Sequence, residues 1–146
     1  MKIRVLHGPN LNLLGAREPE IYGSHTLADI EARLEEYAGP KFSVSCDQSN
    51  HEGQLIDWVQ EASGSAVGLL FNFGALTHTS IALGDALRAS AIPSVEVHLS
   101  NIHAREAFRH HTCTGGQALG VITGFGPRSY TLGLRALMDY LTDAAF

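Results

Sequence analysis

Apolar positions along the chain follow two alternating rules. Short dense runs occur at 2–7, 42–46, 66–71, 94–98 and 119–123, and between them apolar residues recur every three or four positions. The first rule suits strands and the second suits helices with one buried face. Leu27, Ile30, Leu34 and Tyr37 mark a helix that starts at a capping-box pattern, Thr26 to Asp29, and stops at Gly39-Pro40. Leu55, Ile56, Val59 and Ala62 mark a second helix, with Trp58 packing beneath it, and a third covers 79–89. A short helix is expected at 103–110 and a closing one at 129–144. The run 66–71 is apolar throughout, as in a strand covered on both faces.

Five strand–helix alternations predict a parallel sheet with crossover helices, and one reversal of strand order gives a flavodoxin-like, doubly wound three-layer α/β/α sandwich. The 146 residues fit one domain, 1–146, able to bury a sizeable core. In such sheets ligands bind beyond the carboxyl ends of the strands. The predicted strand exits carry His7 to Asn12, Ser49-Asn50-His51, Asn72 with His78, then Glu96, His98 and Ser100, and finally Gly124 and Gly126. Asparagine and histidine gathered at one edge point to one pocket there. The 17 residues HGPNLNLLGAREPEIYG, His7 to Gly23, exceed an ordinary strand-to-helix connection and carry too much leucine and isoleucine to stay solvated. They read as a working loop.

Composition narrows the partners. A net charge of -5, with only ten Lys and Arg spread along the chain, argues against nucleic acid. Cys46 and Cys113 fit neither a disulfide framework nor a metal spacing, which suggests a reducing cytoplasm. The chain opens on a strand, not a leader, and its apolar runs are short of a membrane span.

The pocket chemistry is narrow as well. There is no nucleophile elbow, no Gly-Lys-Ser/Thr phosphate loop and no dinucleotide fingerprint, so acyl transfer and nucleotide cofactors are disfavoured. His110 and His111 are adjacent, and no pair of histidines has the helical spacing of a zinc protease, so no metal is expected. Proton transfer without a cofactor remains. Tyr22 can act as a base if a cation such as Arg17 stabilises its phenolate, and His98 can carry a proton near neutral pH. Asparagine and water can support an enolate oxygen. Acid, base and oxyanion support together suggest a β-elimination. Each of these residues also has a structural reading: Tyr22 as a packed aromatic, Arg17 as a solvated charge, Asn10 and Asn72 as turn formers, Asp85 as a solvent-facing helix acid, and Glu96 as a hydrogen-bonding partner in the fold.

The segments GPNLNLLG, REPEIYG, QSNHEGQLIDW, THTSIAL and EVHLSNIHAREAFRHH, in this order over nearly the whole chain, resemble type II 3-dehydroquinate dehydratase. The resemblance implies anti elimination of water from 3-dehydroquinate through an enolate, without metal or organic cofactor. It implies Tyr22 as the base at C2, Arg17 as its activator, His98 as the acid at the C1 hydroxyl and Asn10 as holder of the enolate's water. Glu96 would order the site. Asn72, His78, Asp85 and Arg109 would bind substrate hydroxyls, and Leu99 and Ser100 the carboxylate. It further implies a homododecamer, a tetramer of trimers, in which Asp85 serves a neighbouring subunit. Residues 17–22 are expected to form a lid over the fixed strand exit 8–12. Phe73 and Leu76 depart from the family pattern and are expected on the pocket wall. The competing reading is a non-catalytic flavodoxin-like ligand-binding or signalling module, such as a flavin carrier or a receiver-type domain.

Overall fold

The computed structural model describes residues 1–16 and 18–142, with backbone alone for Pro19 and Tyr22. Arg17, the Tyr22 side chain and the expected end of the last helix at Ala144 lie outside the described residues. Five strands, β1 (Lys2–His7), β2 (Ser43–Gln48), β3 (Gly68–Asn72), β4 (Ser94–His98) and β5 (Gly120–Thr123), form one parallel sheet in the order β2-β1-β3-β4-β5. The helices are α1 (Pro19–Tyr22), α2 (Leu27–Ala38), α3 (Glu52–Ser65), α4 (Ile81–Ser90) and α5 (Arg128–Leu141).

Strand alternation sorts the core into two layers. Ile3, Val5, Leu70, Val95 and Val97 face α2 and α5, where they meet Ile30, Leu34, Tyr130, Leu134 and Leu137. Leu6, Leu69 and Phe71 face α3 and α4, against Leu55, Val59, Leu83 and Leu87. β3, with all five residues buried, is the doubly covered strand that its unbroken apolar run predicts. The capping box of α2 is complete: Asp29 N–H donates to Thr26 Oγ1 at 3.1 Å and Thr26 N–H to Asp29 Oδ2 at 2.8 Å.

The irregular segments correct one expectation and refine others. Residues 103–110 are not one helix but two 3-10 turns, Ile102–Ala104 and Ala107–Arg109, because Arg105 and Glu106 adopt extended backbone between them. Part of the long first connection folds into a 3-10 turn, Leu11–Leu13, and α1. Another 3-10 turn, Gly74–His78, precedes α4. Trp58, expected to pack beneath α3, is half-buried and packs against the α3–α4 core layer, with the Arg4 guanidinium 5.7 Å from its ring.

The chain leaves β1 toward β2 and re-enters at β3 on the other side of β1, so the exits of β1 and β3 are neighbours whose connections diverge. A crevice opens where they part. Gly8, just before the lining residues Pro9 and Asn10, donates its N–H to Asn72 O at 2.7 Å, and a Cβ there would stand 2.5 Å from the Phe73 backbone. Only glycine allows the two strand exits to approach this closely.

Candidate active site

The crevice is a cavity of ≈ 700 Å³, counted to its open mouth and lined by residues from the β1, β3 and β4 exits. Asn10, Asn72, His78, His98, Leu99, Ser100 and Arg109, all predicted from the sequence, line it together. Arg105 joins them and was not anticipated, although it lies in the same His-Ala-Arg-Glu segment. Leu11, Leu14 and Ile102 supply an apolar wall. Among the described lining residues two are arginines and none is an acid, so the site suits an anionic ligand.

Each element aims its side chains for a traceable reason. Asn10 takes a left-handed conformation, φ 69°, which asparagine tolerates better than most residues, and its N–H donates to Asn50 Oδ1 at 3.0 Å. Gln48 Nε2 donates to Gly8 O at 3.2 Å and to Asn50 Oδ1 at 3.1 Å. The β2 exit therefore clamps the first loop and contributes no lining residue, contrary to the expectation that Ser49, Asn50 and His51 would join the pocket. Asn72 Oδ1 accepts from Gly74 N–H at 3.1 Å, which closes the turn after β3.

Phe73 is correspondingly not on the pocket wall. It is fully buried, stacked on Phe71 with ring centroids 4.6 Å apart, and Leu76 packs against the same core layer. Gly74 and Ala75 present the wall at that point. The β5 exit also works at one remove: Gly126 N–H donates to Leu99 O at 2.9 Å and Thr123 Oγ1 to Ser100 O at 2.7 Å, fixing the backbone beside His98.

His98 and Glu96 lie two residues apart on β4 and so project from the same face of the sheet. Glu96 is fully buried behind the cavity, and its Oε1 lies 2.7 Å from His98 Nε2. With the proton on Nε2 toward the carboxylate, Nδ1 is the nitrogen left for the cavity. Thr112 Oγ1 donates to Glu96 Oε1 at 3.2 Å and Thr114 Oγ1 to Glu96 Oε2 at 2.6 Å, contacts that span 16 and 18 residues of chain.

His78 stacks beside His98, ring centroids 6.2 Å apart. Its Nδ1 lies 2.6 Å from His111 O, a carbonyl that can only accept, so Nδ1 carries the proton. Burial, partly offset by that bond and reinforced by the charges of His98 and Arg109, holds the imidazole pKa below its ordinary 6.5. A neutral His78 with Nε2 as acceptor follows, suited to a substrate hydroxyl.

Arg109 Nε donates to Glu106 Oε2 at 2.8 Å, and Arg105 Nε lies 3.7 Å from the same oxygen. Glu106 is in turn held below the usual carboxylate range, first by its own backbone amide and then by Arg109. Asp85 lies on α4 outside this cavity, exposed and paired with Arg88 at 2.5 Å.

Away from the cavity, His7 Nδ1 shares a 2.9 Å hydrogen bond with the Tyr130 hydroxyl, and its Nε2 is 3.4 Å from Glu31 Oε1. His7, Glu31 and Cys46 bring one donor atom each within 4.8 Å of one another, a grouping that no sequence spacing reveals. Cys46 there is pushed up to about 12 by burial and by Glu31, Glu35 and Asp47, which keeps it a thiol, the poorly ligating form.

The family Dehydroquinase class II matches residues 1–138. A 3-dehydroquinate dehydratase of Rhizobium etli (strain CIAT 652) is 58% identical over 139 residues, covering 94% of this chain and 95% of its own. A type II dehydroquinase structure from Butyrivibrio crossotus DSM 2876 superposes with a TM-score of 0.91 at 43% identity, over 94% of this chain and 97% of that one. Another, from Propionibacterium acnes, gives 0.89 at 41% identity, with 97% of both chains covered.

Proposed function

Because the chain belongs to the dehydroquinase class II family, we propose that the cavity removes water from 3-dehydroquinate to give 3-dehydroshikimate, a hydro-lyase step of the shikimate pathway toward chorismate and the aromatic amino acids. The supporting observation is the pairing of His98 with buried Glu96 at the wall of an arginine-lined cavity. An imidazole backed by a carboxylate faces a site that attracts a carboxylate, which suits proton transfer to a hydroxyl leaving from a hydroxy acid.

In this reading Tyr22 takes the C2 proton, with Arg17 stabilising its phenolate. The electrons move into the ring carbonyl to form an enolate, whose oxygen is hydrogen-bonded by a water on Asn10. As the enolate collapses, the C1–O bond breaks and His98, acting as the imidazolium with its Nε2–H on Glu96, delivers the Nδ1 proton to the departing hydroxyl and is left neutral. Leu99 and Ser100 hold the substrate carboxylate through backbone and hydroxyl, and Asn72, His78 and Arg109 hold its hydroxyls. Arg105 adds positive charge at the same wall. Residues 17–22 close as a lid that brings Arg17 to the base once substrate is bound.

The proposal includes one catalytic domain, residues 1–146, with no metal or organic cofactor, working in the cytoplasm as a homododecamer, a tetramer of trimers. Asp85 completes the site of a neighbouring subunit. Among the described residues, no helix is long and apolar enough to cross a membrane. The test is direct: purified protein with 3-dehydroquinate and EDTA should show growing enone absorbance at an undiminished rate. A flat trace sinks the reading, and a rate abolished by EDTA alone sinks the metal-free part of it.

A further inference from the structure

We infer that Thr112 and Thr114 are positioning residues for the acid: together they hold the Glu96 carboxylate so that it fixes the tautomer and aim of His98. The inference rests on the reading of His98 as the proton donor to the leaving hydroxyl.

The hydrogen bonds around Glu96 show how this works. Thr112 Oγ1 accepts the N–H of Thr114 at 3.2 Å and of Gly115 at 2.9 Å. Both amides donate, so the lone pairs of that hydroxyl are occupied and its own proton is left for Glu96, 3.2 Å from Oε1 and 3.4 Å from Oε2, or for Thr114 Oγ1, also at 3.2 Å, of which the charged carboxylate is the stronger acceptor. Thr114 is fully buried, and its hydroxyl makes the shorter bond, 2.6 Å to Oε2. Each carboxylate oxygen thus has a threonine hydroxyl donor. With His98 at 2.7 Å from Oε1, three side chains hold one buried carboxylate.

The backbone that carries the threonines is itself pinned. Cys113 N–H donates to Thr77 O at 2.7 Å, and Gln117 N–H donates to Thr114 O at 3.0 Å. A carboxylate without these donors could rotate about its terminal bond and offer His98 a longer or bent contact. Nε2–H would then lose its fixed acceptor, so the neutral ring would divide between tautomers and the imidazolium that carries the Nδ1 proton into the cavity would lose both its aim and its counter-charge.

The test uses the full-length protein with Thr114→Val, Thr112→Val and Thr114→Ser. Losing one charge-assisted hydrogen bond should lower kcat about 10- to 100-fold in the valine variants. KM should stay within about twofold, because the threonines do not touch substrate. Thr114→Ser, which keeps the hydroxyl, should restore most of the rate. Nitrogen-15 NMR of ring-labelled histidine should show the neutral form of His98 protonated on Nε2 in the parent and a mixed population of tautomers in the valine variants. Should Thr114→Val fail to fold, Thr112→Val and the spectra of Thr114→Ser carry the comparison. Wild-type kcat in both folded valine variants, or a rise in KM with kcat unchanged, would overturn the inference while His98→Asn remained inactive. An active His98→Asn would instead overturn the proton-donor reading and the positioning role with it.

Discussion

At the scale of the residue, the proposed chemistry depends on groups kept in one protonation state. Tyr22→Phe removes only a hydroxyl, so binding of the product should persist while kcat falls by about 100-fold or more; unchanged turnover would place the base elsewhere. Outside the cavity, Cys46 and Tyr130 make the fold sensitive to alkali. Burial raises both above their ordinary values of 9.0 and 10.0, Cys46 to about 12. Above pH 9.0 the unfolded chain loses protons that the folded chain keeps, so the unfolded state binds fewer and stability falls as pH rises toward about 12. Urea midpoints across that window should decline, and Cys46→Ala should flatten the decline. His78 acts with the opposite sign. Below 6.5 the unfolded chain takes up a proton that the folded one resists, so stability falls as pH drops.

At the scale of the element, what could be read from the chain depended on range. The strands and α2 to α5 follow from periodic burial and from local caps, which neighbouring residues encode. The Thr26 box is one such signal. Thr26→Ala should cost about 1 kcal/mol, seen as a lower melting temperature with kcat unchanged. The 3-10 turns at Ile102–Ala104, Ala107–Arg109 and Gly74–His78 left no such trace, because a single turn is too short to establish a period. The grip of Thr112 and Thr114 on Glu96 was hidden for a different reason, being a tertiary contact between hydroxyls and a distant acid. Site residues that sit at strand exits were legible, whereas Arg105, projecting from extended backbone between two turns, was not. Packing between elements also sets a limit that can be tested. α5 meets the sheet through Gly133, where a Cβ would lie 2.5 Å from Val97 Cγ1 and 2.8 Å from Leu70 Cδ1. Gly133→Ala should therefore destabilise by about 1–3 kcal/mol by pushing the helix off the sheet, and a midpoint equal to the parent's would show that the layers can yield.

At the scale of the whole molecule, the cavity and the acid proposed to complete it are separated. Asp85 lies on α4 outside the cavity of its own chain, on the same helix as Ile81, whose side chain is 72% exposed. A site completed by a neighbour makes an arithmetic prediction that a self-contained site does not. Asp85→Ala and His98→Asn should each be nearly inactive alone. When the two are unfolded together in equal amounts and refolded, a working site needs His98 from a subunit of the first kind and Asp85 from a neighbour of the second. Random assembly then supplies about a quarter of the sites with both groups, so activity should return to about that fraction of the parent's. Sizing chromatography of the mixture should show a species far larger than the 15.7 kDa chain. If Asp85 served its own cavity, or acted only through its pairing with Arg88, every chain in the mixture would still lack one group and no activity would return.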